Sequence, residues 1–173
     1  MMKLGVIFDP MDTVKFTELK TFPSLNMHEF IDLLSLKEEV NKTDDEILKE
    51  KFRSVLSSCD IFIFLIGKNS KKRIKFLLWQ QAIALELQKP IVVVNLNFLR
   101  SVDYDRTPQA LTKNLSLHCA FHEPIVNYAV NVFPGFFYEQ VEIGKTKPKY
   151  LKKTYRVFQD VYEKYQIYTS DLG

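Results

Sequence analysis

The chain has 173 residues and a net charge of +3, with 24 basic and 21 acidic side chains. This small, scattered excess gives no sign of a nucleic-acid-binding surface. Cys59 and Cys119 are far apart and lack metal-ligand spacing to the three histidines, so we expect reduced thiols and no metal site. No apolar run approaches the roughly 18 residues that span a membrane, and no signal-peptide pattern is present. We therefore expect a soluble, cytoplasmic protein without a membrane or nucleic-acid partner.

The first third of the chain predicts two strands and two helices. Residues 3–8 are a short apolar strand that runs into the turn-forming residues 9–12. Weak helical spacing follows over 13–20, and residues 28–34 are typical of a second strand. Thr43 and Glu46 have the spacing of a capping box, which predicts a helix from there to about residue 57.

The centre of the chain predicts a strand–helix–strand unit. Residues 60–66 and 90–96 contain continuous apolar runs rich in β-branched residues, the pattern of strands covered on both faces. Residues 76–87 between them are apolar nearly all round and long enough for a helix. Such a crossover is almost always right-handed.

The last third has weaker patterns. We expect a long loop over 98–115, a short strand over 117–121, and a helix or strand over 124–132 that the pattern does not distinguish. Residues 133–137 indicate a turn. Apolar residues spaced four and three apart predict a final helix near 148–165, with one buried or partner-facing stripe; they are Leu151, Tyr155, Phe158, Tyr162 and Tyr165.

The order of these elements predicts a parallel sheet with helices on both faces. Ligands of such sheets bind beyond the carboxyl ends of the strands, near the switch in strand order. This rule nominates four segments, at residues 9–12, 33–37, 67–73 and 95–97.

The sequence contains neither a GxxxxGK(S/T) loop nor GxGxxG, GxSxG or HExxH. Two features could still contribute to a site. Gly67 is followed by four cations before a helix, and such a loop either holds phosphate or is simply solvated. Gln80 interrupts an apolar helix, so its amide must find a partner or line a pocket; alternatively, Gln80 or Gln81 caps a neighbouring loop.

Taken together, these residues resemble the TIR domains, and most closely the bacterial TIR-like proteins of the Thoeris antiphage system. The resemblance includes Ile-Gly-Lys-Asn-Ser at 66–70, the helix ending Ala-Ile-Ala-Leu-Glu-Leu-Gln-Lys-Pro, and Phe-Ile-Asp at 30–32. It covers roughly residues 3–97. It implies a flavodoxin-like TIR fold over 1–173, with a core at 3–97 and a helical C-terminal elaboration at 98–173.

The resemblance also implies an activity. Enzymatic TIR domains of this kind split NAD at the nicotinamide–ribose bond and release or cyclise ADP-ribose, using a glutamate that follows an aromatic residue. That position is Gln80, after Trp79. Because a neutral amide lacks the charge that stabilises an oxocarbenium-like transition state, we expect this chain to bind NAD without turning it over. Gln80 is either natural or an engineered Glu→Gln, and we favour the second explanation.

The predicted site therefore has Gln80 in the catalytic position, without a metal. The predicted NAD-binding residues are Phe8, Asp9, Lys68, Arg73 and Trp79. Lys68, Arg73 and Asp9 follow only from the strand-end rule, whereas Phe8 and Trp79 follow the family. The implied partners are NAD, further copies of the chain, an effector protein reached through a cyclic ADP-ribose-type messenger, and a phage component as trigger.

Two other function classes remain open. One is a catalytically silent TIR module that acts by assembly. The other is a nucleoside deoxyribosyltransferase-like enzyme, which shares the architecture and cleaves an N-glycosidic bond.

Overall fold

The computed structural model describes residues 1–39, 42–72, 74–144 and 153–167. Six described strands are β1 (Lys3–Ile7), β2 (Glu29–Asp32), β3 (Ile61–Ile66), β4 (Ile91–Asn95), β5 (Ser116–Ala120) and β6 (Thr154–Arg156). They form one sheet in the order β2-β1-β3-β4-β5-β6, and every neighbouring pair is parallel. The predicted parallel α/β sheet is confirmed, with each predicted strand of the first 97 residues in place.

The described helices are α1 (Thr13–Lys20), α2 (Leu34–Lys37), α3 (Asp45–Ser57), α4 (Lys75–Glu86), α5 (Gln109–Thr112), α6 (Glu123–Gly144) and α7 (Gln159–Lys164). Short 3-10 turns at Pro10–Asp12 and Pro23–Leu25 complete the elements. Buried residues of α1, α6 and α7 share one cluster with half of the sheet, whereas α3, α4 and α5 contribute to the other. Helices therefore cover both faces, as in doubly wound folds.

Strand β3 shows why the sheet has two cores. All six of its residues are buried. Ile61, Ile63 and Leu65 belong to one cluster, and Phe62, Phe64 and Ile66 belong to the other. Successive side chains of a strand point to opposite faces, so a continuous apolar run is what a strand covered on both sides requires.

The strand order reverses between β1 and β3. The chain leaves β1 for β2 on one side of the sheet and then crosses to β3 on the other. Val6 lies between Asp32 of β2 and Ile63 of β3. A crevice opens where the two crossover connections diverge, and this is the position at which open α/β sheets bind ligands.

Helix α6 corrects one prediction. The turn expected at 133–137 is wrong, because Pro134 and Gly135 lie inside a continuous helix. An interior proline costs a helix about 3 kcal/mol. The helix buries Ile125, Val126, Ala129, Val130, Phe133 and Phe137 against the sheet. Each buried phenylalanine contributes about 1.5–3 kcal/mol, so the apolar face outweighs the proline.

The C-terminal region corrects a second prediction. Residues 148–152 of the predicted final helix lie outside the described residues, but Tyr155 belongs to strand β6 and pairs with Leu117. The helix itself begins only at Gln159. Phe158 is exposed and does not belong to a buried stripe. The spacing of apolar residues over 148–165 is therefore shared between an edge strand and a short helix.

A smaller correction concerns the start of α3. The N-cap is Asp44 and not Thr43, since the Asp44 carboxylate accepts hydrogen bonds from the amides of Glu46 and Ile47.

The expected loop at 98–115 contains the short helix α5, and the open alternative at 124–132 resolves as helix. Both cysteines are buried and free of disulfides. Over the described part of the chain, we find no helix with the length and apolar character that a membrane crossing requires.

Candidate functional site

A small cavity, here called the crevice cavity, lies at the carboxyl ends of β1 and β3. Its walls come from the end of β1 and the turn after it, the end of β3 and the loop after it, helix α4, and Pro108. The lining residues are 7–9, 64–66, Ser70, Leu77, Gln81 and Pro108. Its position is the one that the reversal in strand order predicts. The volume is about 20 Å³, which is room for about one water molecule.

Asp9 is the charged residue in the wall of this cavity. It follows β1 directly and caps the 3-10 turn, where its Oδ1 accepts a hydrogen bond of 2.9 Å from the amide of Met11. Asp9 is only 3% exposed, and its Oδ2 has no hydrogen-bond partner among the described residues. A buried carboxylate oxygen without a partner is costly in a purely structural role. Such a group is therefore a candidate for binding or chemistry.

Asp12 brings a second carboxylate to the same turn. Its Oδ2 is also buried without a hydrogen-bond partner within the described part of the chain. Burial raises the pKa of Asp12, and the negative charge of Asp9 raises it further. The charge of Asp9 therefore makes it harder for Asp12 to lose its proton. Pairs of this kind, in unlike environments, are how enzymes keep an acid and a base side by side.

Gly67 makes room for Asp12. A β-carbon added at Gly67 would lie 2.3 Å from Oδ2 and 2.5 Å from Oδ1 of Asp12, closer than any real contact. The loop after β3 is held by a hydrogen bond of 2.8 Å from the Gly67 amide to Oγ of Ser70. The absence of a side chain at residue 67 thus allows the β1 turn and the β3 loop to meet at a carboxylate.

The predicted residues are placed in different ways. Asp9 lines the cavity as expected. Phe8 also reaches it, but its ring is stacked on Phe16 with 4.6 Å between ring centres and is 5% exposed, so it is a core residue and not a stacking surface for a ligand. Lys68 is exposed in the following loop and does not line the cavity. Arg73 lies outside the described residues.

Trp79 is the clearest departure. Its ring packs against Phe52 of α3, with 6.3 Å between ring centres, and lies beneath the ammonium groups of Lys49 and Lys75. Trp79 packs against the hydrophobic cluster on one face of the sheet, whereas Phe8 belongs to the cluster on the other face. The expectation that Phe8 and Trp79 face one pocket is therefore wrong.

The cavity is lined by Gln81 and not by Gln80, which is the expected pocket residue. Gln80 is 2% exposed and points into the core face of α4, where its Nε2 has no hydrogen-bond partner among the described residues. Gln81 lines the crevice cavity instead. Leu77, about one turn earlier on α4, lines the cavity, but Gln80 does not.

The sequence singles out neither Asp12 nor Ser70 for the site, and it offers Gln81 only as an alternative cap of a neighbouring loop. The first two fall inside segments that the strand-end rule nominates, but only the folded turn shows that Gly67 and Asp12 are in contact. Over the described residues, no group of three or more His, Cys, Asp or Glu side chains is arranged to hold a metal ion.

The comparisons with known proteins are distant. No protein-family model matches the chain, and no curated protein matches its sequence. A solved structure, the CMP N-glycosidase BcmB from Clostridium botulinum, is similar with 10% identity and a TM-score of 0.43, covering 76% of this chain and 99% of that one. A likeness this remote assigns no activity to the chain.

Proposed function

We propose that this protein is an enzyme that cleaves the N-glycosidic bond of a nucleotide in the β1–β3 crevice. The observation that carries the proposal is the carboxylate pair of Asp9 and Asp12. Each has a buried oxygen without a hydrogen-bond partner among the described residues, and the charge of one raises the pKa of the other. Glycosidic-bond cleavage uses two such carboxyl groups around an oxocarbenium-like transition state.

The reaction assigns different tasks to the two residues. The bond between C1′ of the ribose and the base nitrogen breaks, and its electron pair leaves with the base. Asp9, in the cavity wall, would stabilise the positive charge that develops at C1′ and take a proton from the attacking water. Asp12, whose pKa is raised above its ordinary value, would keep a proton to higher pH than a free aspartate. It would donate that proton to the base, which would otherwise have to leave as an anion.

NAD is the leading substrate within this proposal, because the TIR resemblance implies it. Its nicotinamide is already cationic and leaves as a neutral molecule, so cleavage of NAD needs Asp9 but no proton from Asp12. The products would be nicotinamide and ADP-ribose or a cyclic form, in keeping with the implied role as a defence signal. A neutral nucleoside base needs the acid, so the two substrate types respond differently to loss of Asp12.

A second candidate is a protein that binds NAD and does not turn it over. The observation that favours it is the neutral Gln80 at the position of the family's glutamate, buried with an Nε2 that has no partner in the described part of the chain. In that case NAD would bind beside residue 80 without being cleaved, and the protein would act by assembly.

The test is a substrate panel with NAD, ribonucleoside 5′-monophosphates and deoxynucleosides, with the released nicotinamide or base measured by chromatography. We expect the wild type to cleave a member of the panel and Asp9→Asn to lose about 10²–10³-fold in rate, as for loss of one transition-state electrostatic group. Asp160→Asn, an exposed acid on α7, is the control and should be fully active. An Asp9→Asn protein as active as that control would remove the proposed role of the pair.

A further inference from the structure

A larger cavity adjoins the crevice cavity, between α4 and the chain that follows β4. We call it the α4–α5 groove. Its walls include Lys71, Gln81, Tyr104, Thr107, Pro108 and Lys113, and its volume is about 780 Å³. Gln81 and Pro108 line both cavities, so the two lie next to each other. Small-molecule sites measure about 300–1,000 Å³, and the groove falls in that range.

The volumes of the two cavities indicate which part of a substrate each could hold. The crevice cavity beside Asp9 has a volume of about 20 Å³, enough for the reacting atoms or one water but not for a nucleotide. Any larger part of a molecule that reacts at Asp9 must lie elsewhere. The groove is the adjoining space with the necessary volume.

The chemistry of the groove favours an anion. Lys71 and Lys113 are its charged lining residues within the described chain. The ammonium group of Lys71 donates a hydrogen bond of 2.8 Å to the carbonyl oxygen of Tyr104, which ties the β3 loop to the segment after β4. Lysine is a regular binder of phosphate, as a point charge with three donors.

Two further side chains fit a nucleotide. The ring of Tyr104 is 68% exposed at the groove, and an exposed aromatic face stacks on a base with about 1–3 kcal/mol. Thr107 also lines the groove, although it is 1% exposed and its hydroxyl has no hydrogen-bond partner among the described residues. A buried hydroxyl beside a cavity is available to hydrogen-bond a ligand.

We infer that the α4–α5 groove binds the phosphate-bearing part of the substrate. Lys71 and Lys113 would contact the phosphates, and Tyr104 would stack on a base held in the groove, which for NAD is the adenine. This inference rests on the proposed function and narrows its substrate class to nucleotides that carry phosphate, excluding free nucleosides. For NAD, the nicotinamide–ribose bond would lie at Asp9 and the ADP part in the groove.

The test measures binding and not turnover. ADP-ribose and adenosine are titrated by calorimetry into the wild type, the double variant Lys71→Gln/Lys113→Gln, and the control Lys164→Gln, which changes an exposed lysine on α7. We expect the double variant to lose at least about tenfold in affinity for ADP-ribose, or about 1.4 kcal/mol, with unchanged affinity for adenosine. Added salt should weaken ADP-ribose binding to the wild type more than to the double variant. Tyr104→Ala should weaken both ligands about tenfold.

Full ADP-ribose affinity in the double variant would overturn the groove assignment, as would adenosine binding as tightly as ADP-ribose to the wild type. The outcome is independent of catalysis. ADP-ribose binding that depends on the two lysines, in a protein that cleaves nothing, would support the groove and remove the proposed activity. Rapid cleavage with no effect of the two lysines would do the reverse.

Discussion

The carboxylate of Asp12 occupies the space that a side chain at Gly67 would need, and a β-carbon at residue 67 would lie 2.3 Å from Asp12 Oδ2. This contact joins the turn after β1 to the loop after β3. It also buries Asp12 next to the charge of Asp9, which is what raises the Asp12 pKa. The missing side chain at Gly67 therefore serves the geometry of the carboxylate pair.

Replacing Gly67 with alanine tests that contact. The new methyl group must displace the Asp12 carboxylate, because the side chain is the movable partner, and the pair with Asp9 is then broken. For substrates with a neutral base, which need an acid, we expect Gly67→Ala to lower the rate of base release by about 10²–10³-fold. Release of nicotinamide from NAD should change little, and stability should fall by less than in a core substitution.

Gly135→Ala is the matched control for this variant. A β-carbon at Gly135 meets nothing within 4 Å, and alanine in a helix interior is better than glycine by about 0.5–1 kcal/mol. This variant should gain stability and keep its activity. Equal rates for Gly67→Ala and Gly135→Ala on a substrate with a neutral base would show that the position of Asp12 does not matter.

Asp12→Asn should change how stability depends on pH. A carboxyl group whose folded-state pKa lies above its ordinary value of 3.8 stabilises the fold below that value and loses this contribution as pH rises through the folded pKa. Above its folded pKa the Asp12 side chain holds a charge that burial and Asp9 oppose, whereas asparagine does not. We therefore expect a higher Tm for Asp12→Asn on the alkaline side of that pKa, with the difference shrinking toward pH 4.

The measured quantity is the difference in Tm between Asp12→Asn and the wild type at each pH. The wild-type Tm alone is not enough, because a second group also titrates. Burial lowers the pKa of His118 to about 4, so the contribution of His118 to stability is present above about pH 6.5 and lost as pH falls toward 4. Both proteins share this loss. A Tm difference that stays constant from pH 7 to pH 4 would argue against the raised Asp12 pKa.

Tyr162 links the C-terminal helix to the sheet. Its ring is fully buried, and its hydroxyl accepts a hydrogen bond of 3.0 Å from the amide of Ala120 at the end of β5. Tyr162→Phe keeps the ring but leaves that buried amide without its acceptor, which costs about 1–3 kcal/mol. Denaturant unfolding of this variant and of Tyr165→Phe, an exposed neighbour, measures the difference. Similar losses in the two variants would mean that the Ala120 bond adds nothing.

The central fold was predictable because strong local patterns agree with one another. The apolar runs of β3 and β4 are covered on both faces, and Pro90 marks where β4 begins. The strand-end rule nominates the segments that contain Asp9 and Ser70, and both residues line the crevice cavity. Both steps depend on residues that are adjacent in sequence, or on a rule of the architecture.

The parts of the site on α4 were not predictable in the same way. Consecutive residues of a helix point about 100° apart, so the rotation of α4 about its axis decides whether Gln80 or Gln81 faces the crevice. That rotation depends on how α4 packs against α3, where Trp79 contacts Phe52. The residues of α4 alone do not predict this packing. Pro134 is a similar case, since only the buried face of α6 shows that the helix continues through it.

The most direct test of where the chemistry lies compares Asp9→Asn with Gln80→Glu, using the panel substrate that the wild type cleaves fastest. If the carboxylate pair is the catalytic centre, Asp9→Asn loses about 10²–10³-fold in rate. Gln80→Glu, whose new carboxyl group would lie on the core face of α4 and outside the cavity lining, then leaves the rate near that of the wild type. A Gln80→Glu protein that releases nicotinamide from NAD at least about tenfold faster than the wild type, with Asp9→Asn unimpaired, would contradict this account and place the chemistry at residue 80.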